Sequence, residues 1–232
     1  MNNLKPDPKN ETPINVEDGS YHSDGRMHNY YVPDLYFNQQ RNEGSIYLRE
    51  GQRAVAANED FIVGLHSGLA EELDDASNLI MYKCGKEWAQ QDMKRFNNRM
   101  RHEFGGGKLD IWQMKMRFVF ETWWWPLTVQ GWGGWTLDLS FQSKDVIFVE
   151  IRNSAVAQAM EQVGKPVCHL YAGMFSGVFS YYNRDEQESI EVQCYAMGND
   201  CCKFMVGGEK QINAAEFWRQ EGATAEDIRT RI

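Results

Sequence analysis

Residues 168–204 read CHLYAGMFSGVFSYYNRDEQESIEVQCYAMGNDCCKF. Leu170, Met174 and Val178 recur every four residues, which marks one face of a helix. Ala172, Gly173, Ser176 and Gly177 are small, so something packs closely against that helix: a sheet, a second subunit or the ring of a ligand. Pro166 suits the first turn because its φ is already helical, and Tyr181-Tyr182-Asn183 close the helix. SIEVQCYAM then has strand character, Gly198-Asn199 forms a turn, and CCKFMV is the returning strand. A helix laid against a hairpin is the seed of an α+β fold.

Cys168, Glu191, Cys194 and Cys202 lie in this stretch at suggestive spacing. Three thiolates and a carboxylate make a sensible tetrahedral zinc site, since zinc is borderline-soft and accepts both donor types. Cys194 and Cys202 flank the turn, so the hairpin can bring them together. Glu191 precedes Cys194 by three positions, and in a regular strand the two would face opposite ways. A shared site therefore needs a bulge, or a bend at Cys194. Cys201 is the spare thiol, turned away from its neighbour. Spacing alone leaves two readings open, a zinc site or buried cysteines without a metal; CxxC…CxxC would be more specific.

Upstream, WTLDLSF and DVIFVEIR read as strands joined through Gln142–Lys144, and Ser154 caps a short helix through Met160. Over 108–125, Leu109, Trp112, Met116, Phe120 and Trp124 fit a helical face, with Val119 and Trp123 widening it. Pro126 and the glycines at 131, 133 and 134 end that helix. TWWWP and GWGGW concentrate tryptophan here. They read either as core and interface or as an aromatic wall for a flat apolar ligand, with Phe120, Trp123, Trp124 and Trp132 as its lining.

A long helix is expected from Asp75–Ser77 to Phe104, with Ile80, Cys84 and Trp88 on its buried side and Cys84 as an inert core thiol. Basic residues crowd its end, where they complement the dipole, and Gly105–Gly107 stop it. The triplet is not a phosphate loop, because it follows a helix and no GK[ST] comes after it. Before it, Asn58 caps a helix whose face is Phe61, Leu65, Leu69 and Leu73, with Ile62 beside them. His66 borders this face as a hydrogen-bonded core histidine, a polar pocket anchor or an axial ligand to a tetrapyrrole metal. Residues 30–57 read as short extended pieces turning at Asn42–Gly44, and residues 1–30 as a flexible polar tail with solvated His22 and His28. From Glu209 a linker leads to a final amphipathic helix with Phe217, Trp218 and Ile228 as its contacts.

The chain's 42% hydrophobic content supports a real core, and its net charge of -9 argues against nucleic acid as a partner. No apolar run reaches the ~18 residues of a membrane span, and the N-terminus lacks signal-peptide order. The expected setting is the cytoplasm, where an odd set of five cysteines points away from disulfides.

The run CHLYAGMFSGVFSYY…IEVQCYAMGNDCCKF resembles the core of the 4-vinyl reductase domain family: a helix with an AGxxSG pattern, a strand ending ExxC, then a MGxxxCxF turn and strand. The resemblance spans about residues 135–207. It implies an α+β fold with an antiparallel sheet packed against several helices, related to phenol-sensor domains and to the Bet3-type vesicle-tethering fold. In the aromatic-sensor relatives zinc is held by a Cys, a Glu and two further Cys. Cys168, Glu191, Cys194 and Cys202 match these in order and spacing, which implies a closed structural zinc site.

The implied division is a tail at 1–30, a single ligand-binding domain at 31–207 with its zinc-binding core at about 135–207, and a C-terminal helix at 208–232. Bacterial members are associated with tetrapyrrole metabolism, so the implied ligand is chlorophyll or a precursor. Members with a polar N-terminal extension and a Trp-rich middle resemble cyanobacterial photosystem II assembly proteins. That implies photosystem II subunits as partners, a homodimer, and a peripheral place at the thylakoid membrane. The word reductase finds no support in a GxGxxG after a strand, a flavin or Fe–S motif, or a His/Asp/Ser constellation. A non-catalytic binding protein is expected, with a ligand-free assembly scaffold or a tetrapyrrole-reducing enzyme as the alternatives. No DNA-binding or ATPase domain follows the match, so the activator role is not carried over.

Overall fold

The computed structural model describes residues 36–48, 51–104 and 106–232. The expected tail at 1–30, with His22 and His28, lies outside the described residues. Among the described residues two antiparallel sheets form. The smaller is β1 (Phe37–Gln40), β2 (Ser45–Leu48) and β3 (Arg53–Ala54), and its first turn runs through Gly44 as the sequence suggests. The larger comprises β4 (Gly134–Asp138), β5 (Val146–Arg152), β6 (Glu188–Gln193) and β7 (Cys202–Gly207), in the spatial order β4-β5-β7-β6.

The larger sheet is covered on both faces, and the alternation of its strands shows how. Ile147, Val149 and Ile151 of β5, with Phe204 and Val206 of β7, enter the main core. Val146, Phe148 and Met205 face the other way, onto α6 (Glu209–Gln220) and α7 (Ala225–Arg231), through Ile212, Ala215, Ala225 and Ile228. The C-terminal segment is thus two helices where one was expected, because Gly222 turns the chain at positive φ between them. Phe217 is exposed, Trp218 is half-buried, and Ile228 supplies the deep contact.

The main core lies between the sheet and three helices: α2 (Ala76–Glu103), α3 (Met116–Val129) and α5 (His169–Asn183). The small face of α5 is occupied by α2 of the same chain. A Cβ on Gly173 would fall on the Tyr82 carbonyl, and one on Gly85 would fall on that of Leu170. This close approach corrects the buried side expected of α2. Ser77, Met81, Gly85, Ala89 and Met93 face inward, whereas Cys84 is exposed and Ile80 and Trp88 are half-buried. A periodicity of large apolar residues misses a face whose packing requires the absence of side chain. Above this seam Tyr82 donates to the Glu188 carboxylate, and Lys86 pairs with Glu186 and Glu188.

Three further expectations are corrected. The helix of 108–125 is broken into a single turn at Ile111–Gln113 and α3, because Asn97 of α2 takes the Ile111 N–H at 2.9 Å and holds that turn separately. Helix α3 then runs through Pro126 to Val129. Proline there costs the bond to the Thr122 carbonyl, and the buried tryptophans around it hold the last turn. The third concerns α5, which starts at His169 rather than Pro166. The Gly164 N–H donates to the Ala196 carbonyl at 2.8 Å, so 164–167 runs alongside the hairpin turn before the helix begins.

Helix α1 (Glu59–Leu73), capped by Asn58 as expected, has no fully buried residue. It rests on α2 and on α4 (Ala155–Ala159) through half-buried Ile62, Val63, His66 and Leu69. Phe61, Leu65 and Leu73, expected on the packed face, are exposed.

Candidate metal centre and aromatic core

Three elements and a bulge assemble the cysteine cluster. Cys168 is the N-cap of α5, Glu191 lies on β6, Cys194 follows the end of β6, and Cys202 opens β7. Glu191 pairs with Phe204 and Gln193 with Lys203, which leaves Val192 as an extra residue. That one-residue bulge turns a three-residue separation into a two-step one, so Glu191 and Cys194 reach the same face. Val192 itself packs on the α6–α7 side.

All four side chains are buried, and one ligand atom from each lies within 4.8 Å of the others. Cys168 Sγ is 3.7 Å from Cys202 Sγ, and Cys202 Sγ is 4.0 Å from Cys194 Sγ. A tetrahedral ion with Zn–S bonds of about 2.3 Å sets its sulfurs about 3.8 Å apart. Glu191 Oε2 accepts the Cys168 N–H at 3.0 Å, whereas Oε1 is buried without a hydrogen-bond partner. An unpaired carboxylate oxygen among three thiols is costly unless a cation takes it. The donor set and its spacing therefore fit a divalent metal.

The electrostatics agree. Burial pushes the Cys168 thiol and the Glu191 carboxyl well above their ordinary ranges. Hydrogen bonds from Cys168 and Cys202 hold Cys194 far below its own. A bound divalent ion would favour ionisation of all four donors. The Tyr195 N–H points at Cys202 Sγ from 3.5 Å. Four protein donors would fill a tetrahedral shell and leave no position for an activated water.

Cys201 is buried beside Gln193, and burial pushes its thiol up to about 12. Cys84 is the exposed thiol among the five cysteines. A disulfide-exchange reagent should therefore titrate Cys84 at once in the native protein and the remaining thiols only after chelation or unfolding. A fast phase larger than a single thiol would contradict the buried cluster.

The aromatic candidates are brought together only in part. Trp123 and Trp124 pack against Trp135, whose ring also meets Tyr171 and Phe175. Trp132 is half-buried over Trp88 and joins this group through Tyr171, whose hydroxyl donates to the Trp132 carbonyl at 2.6 Å. Phe120 stands on another side of the core, against Phe179 and Tyr182. His66 lies on α1; burial lowers its pKa, and its Nε2 is enclosed without a partner. The hub, Trp135, was not among the candidates. The inward phase of β4, Trp135 then Leu137, was the signal that could have found it.

Residues 147–208 match the family model of the 4-vinyl reductase domain. An uncharacterised protein of Methanocaldococcus jannaschii is 31% identical over 64 residues, which is 28% of this chain. The chain spans 40% of that relative's length. Among solved structures, the phenol-responsive sensory domain of the transcription activator PoxR, determined with phenol, superposes with a TM-score of 0.60 at 18% identity, covering 81% of this chain and 92% of that one. A trafficking protein particle complex subunit 3 from Naegleria fowleri, covalently bound to palmitic acid, gives a TM-score of 0.44 at 13% identity, over 64% of this chain and 93% of its own. The PoxR likeness is one of fold: an antiparallel sheet against several helices. Among the described residues no helix is long and apolar enough to cross a membrane.

Proposed function

Taking residues 147–208 as a 4-vinyl reductase domain, we propose that the chain is a non-catalytic binding protein for a flat hydrophobic molecule, with the Cys/Glu cluster as its structural zinc site. One observation carries the ligand half of this reading. The indole N–H groups of Trp124 and Trp135 are buried, at 3% and 1% exposure, and neither has a hydrogen-bond partner among the described residues. Leaving two such donors unpaired costs about 1–3 kcal/mol each, unless a bound acceptor takes them. A ligand with an aromatic body and an oxygen or nitrogen acceptor suits that site. The phenol held by the PoxR domain is one example of such chemistry.

Within this class the ligand we propose is a tetrapyrrole, chlorophyll or a precursor, and the setting is photosystem II assembly at the thylakoid surface, with the protein acting as a homodimer. Supporting it are the tryptophan-rich middle and the neutral, unpartnered His66 Nε2, which is able to ligate a tetrapyrrole metal. The zinc would hold helix α5 to the hairpin; Cys168, Glu191, Cys194 and Cys202 would supply its donors.

The test is titration of the purified protein with chlorophyllide and, separately, with phenol. Tryptophan fluorescence should fall with chlorophyllide, and the pigment band should shift. Trp135→Phe, which removes one donor and keeps an aromatic ring, should weaken binding about tenfold. Response to phenol alone would keep the binding protein and discard the tetrapyrrole. No response to either, and none to related tetrapyrroles, removes the reading.

A further inference from the structure

We infer that Ser154 is a positioning residue for the metal centre, and that its hydroxyl ties the centre to α4 and, through α4, to α1. This rests on the reading of the Cys/Glu cluster as a metal site. Ser154 is 2% exposed. Its Oγ accepts the Ala157 N–H at 3.1 Å, which caps α4, and lies 3.6 Å from Cys168 Sγ. A hydroxyl oxygen that has accepted from a backbone N–H still carries its own hydrogen, which needs an acceptor when buried. The Cys168 sulfur is in reach of it. Once Cys168 is a metal-bound thiolate it can only accept, so the direction of the bond is fixed. Helix α4 packs on one side against α1 and on the other against the 195–197 turn, which lies between Cys194 and Cys202. One side chain therefore both starts this helix and orients a metal-binding sulfur.

Outer-shell donors of this kind fix ligand direction and temper the charge on sulfur, and their loss lowers metal affinity about 10–100-fold. The cap alone predicts something different: Ser→Ala at a cap destabilises by about 1 kcal/mol, whereas Ser→Gly costs only a few tenths. Cobalt(II) in place of zinc separates the two, because its thiolate-to-metal charge-transfer band reports electron density on sulfur. In Ser154→Ala and Ser154→Gly alike, the band should move to lower energy, and competition with a chromophoric chelator should show about tenfold weaker binding. Ser154→Thr, which keeps the hydroxyl, should restore both. If Ala and Gly melt lower but keep the wild-type band and affinity, Ser154 is a helix cap only and the proposal is overturned. Should the Ala variant not fold, the Gly variant decides in the same way. Wild-type protein that takes up neither cobalt nor zinc would instead remove the metal reading itself, before any variant is made.

Discussion

Cys202→Ser is expected to abolish stoichiometric zinc and to lower the melting temperature by about 6–20 °C. The sulfur of Cys202 lies 3.7 and 4.0 Å from the other two cluster thiols. Its loss opens the shell between α5 and both hairpin strands. Structural zinc is worth about 10–16 kcal/mol of apparent binding in small peptides that fold only around it. A chain with its own core needs less from the ion, so a cost of about 3–5 kcal/mol is expected, at about 2–4 °C per kcal/mol for a domain of this size. Cys201→Ser, one residue away and outside the cluster, is the control and should keep its zinc. The pH dependence follows from the same donors. Burial holds protons on Cys168 and Glu191, so metal binding must expel them. Affinity therefore rises with pH, and acid releases the ion, together with the stability it confers. Metal analysis beside calorimetry decides: equal melting of both variants and wild type, all without zinc, would leave the cluster as buried thiols.

The second large effect is expected at the α2–α5 seam. Gly173→Ala should destabilise by about 3 kcal/mol or more, read as a lower urea midpoint, because the added methyl meets the Tyr82 carbonyl and the Lys86 backbone rather than a side chain that can turn aside. The same substitution at Gly68 of α1, where a Cβ meets nothing within 4 Å, should stabilise by about 0.5–1 kcal/mol. Opposite signs for one chemical change in two helices would locate the rigid seam. Equal effects would mean that the helices stand further apart than the structure places them.

The fold was most legible where pattern and chemistry coincide. The Asn58 cap, the strands flanking Gln142–Lys144, the Ser154 cap and the need for a bulge near Cys194 all follow from local rules, and the structure has each of them. Less legible were faces defined by closeness. Gly85 and Ala89 carry no hydrophobic signal, so the inward side of α2 was assigned one residue off, to Cys84. Pro126 is a helix breaker by propensity, yet the packing of Trp123, Trp124 and Trp125 overrides it. The four metal candidates converge because the turn joins Cys194 to Cys202, the bulge brings Glu191 onto their face and the start of α5 adds Cys168. The aromatic candidates were chosen from composition, and composition does not say which ring becomes the hub.

The extra residue at Val192 carries a consequence for how this protein tolerates change. Deleting one position between Glu191 and Cys194 would restore an unbroken ladder and leave Cys194 two steps from Glu191, still on the cluster face. A ladder that ran unbroken through the present three-residue spacing would instead carry Cys194 to the α6–α7 side. Substitutions along the segment would leave that parity untouched. In descendants of this chain, letters between 191 and 194 can drift, whereas an even number of ladder steps is what inheritance must preserve.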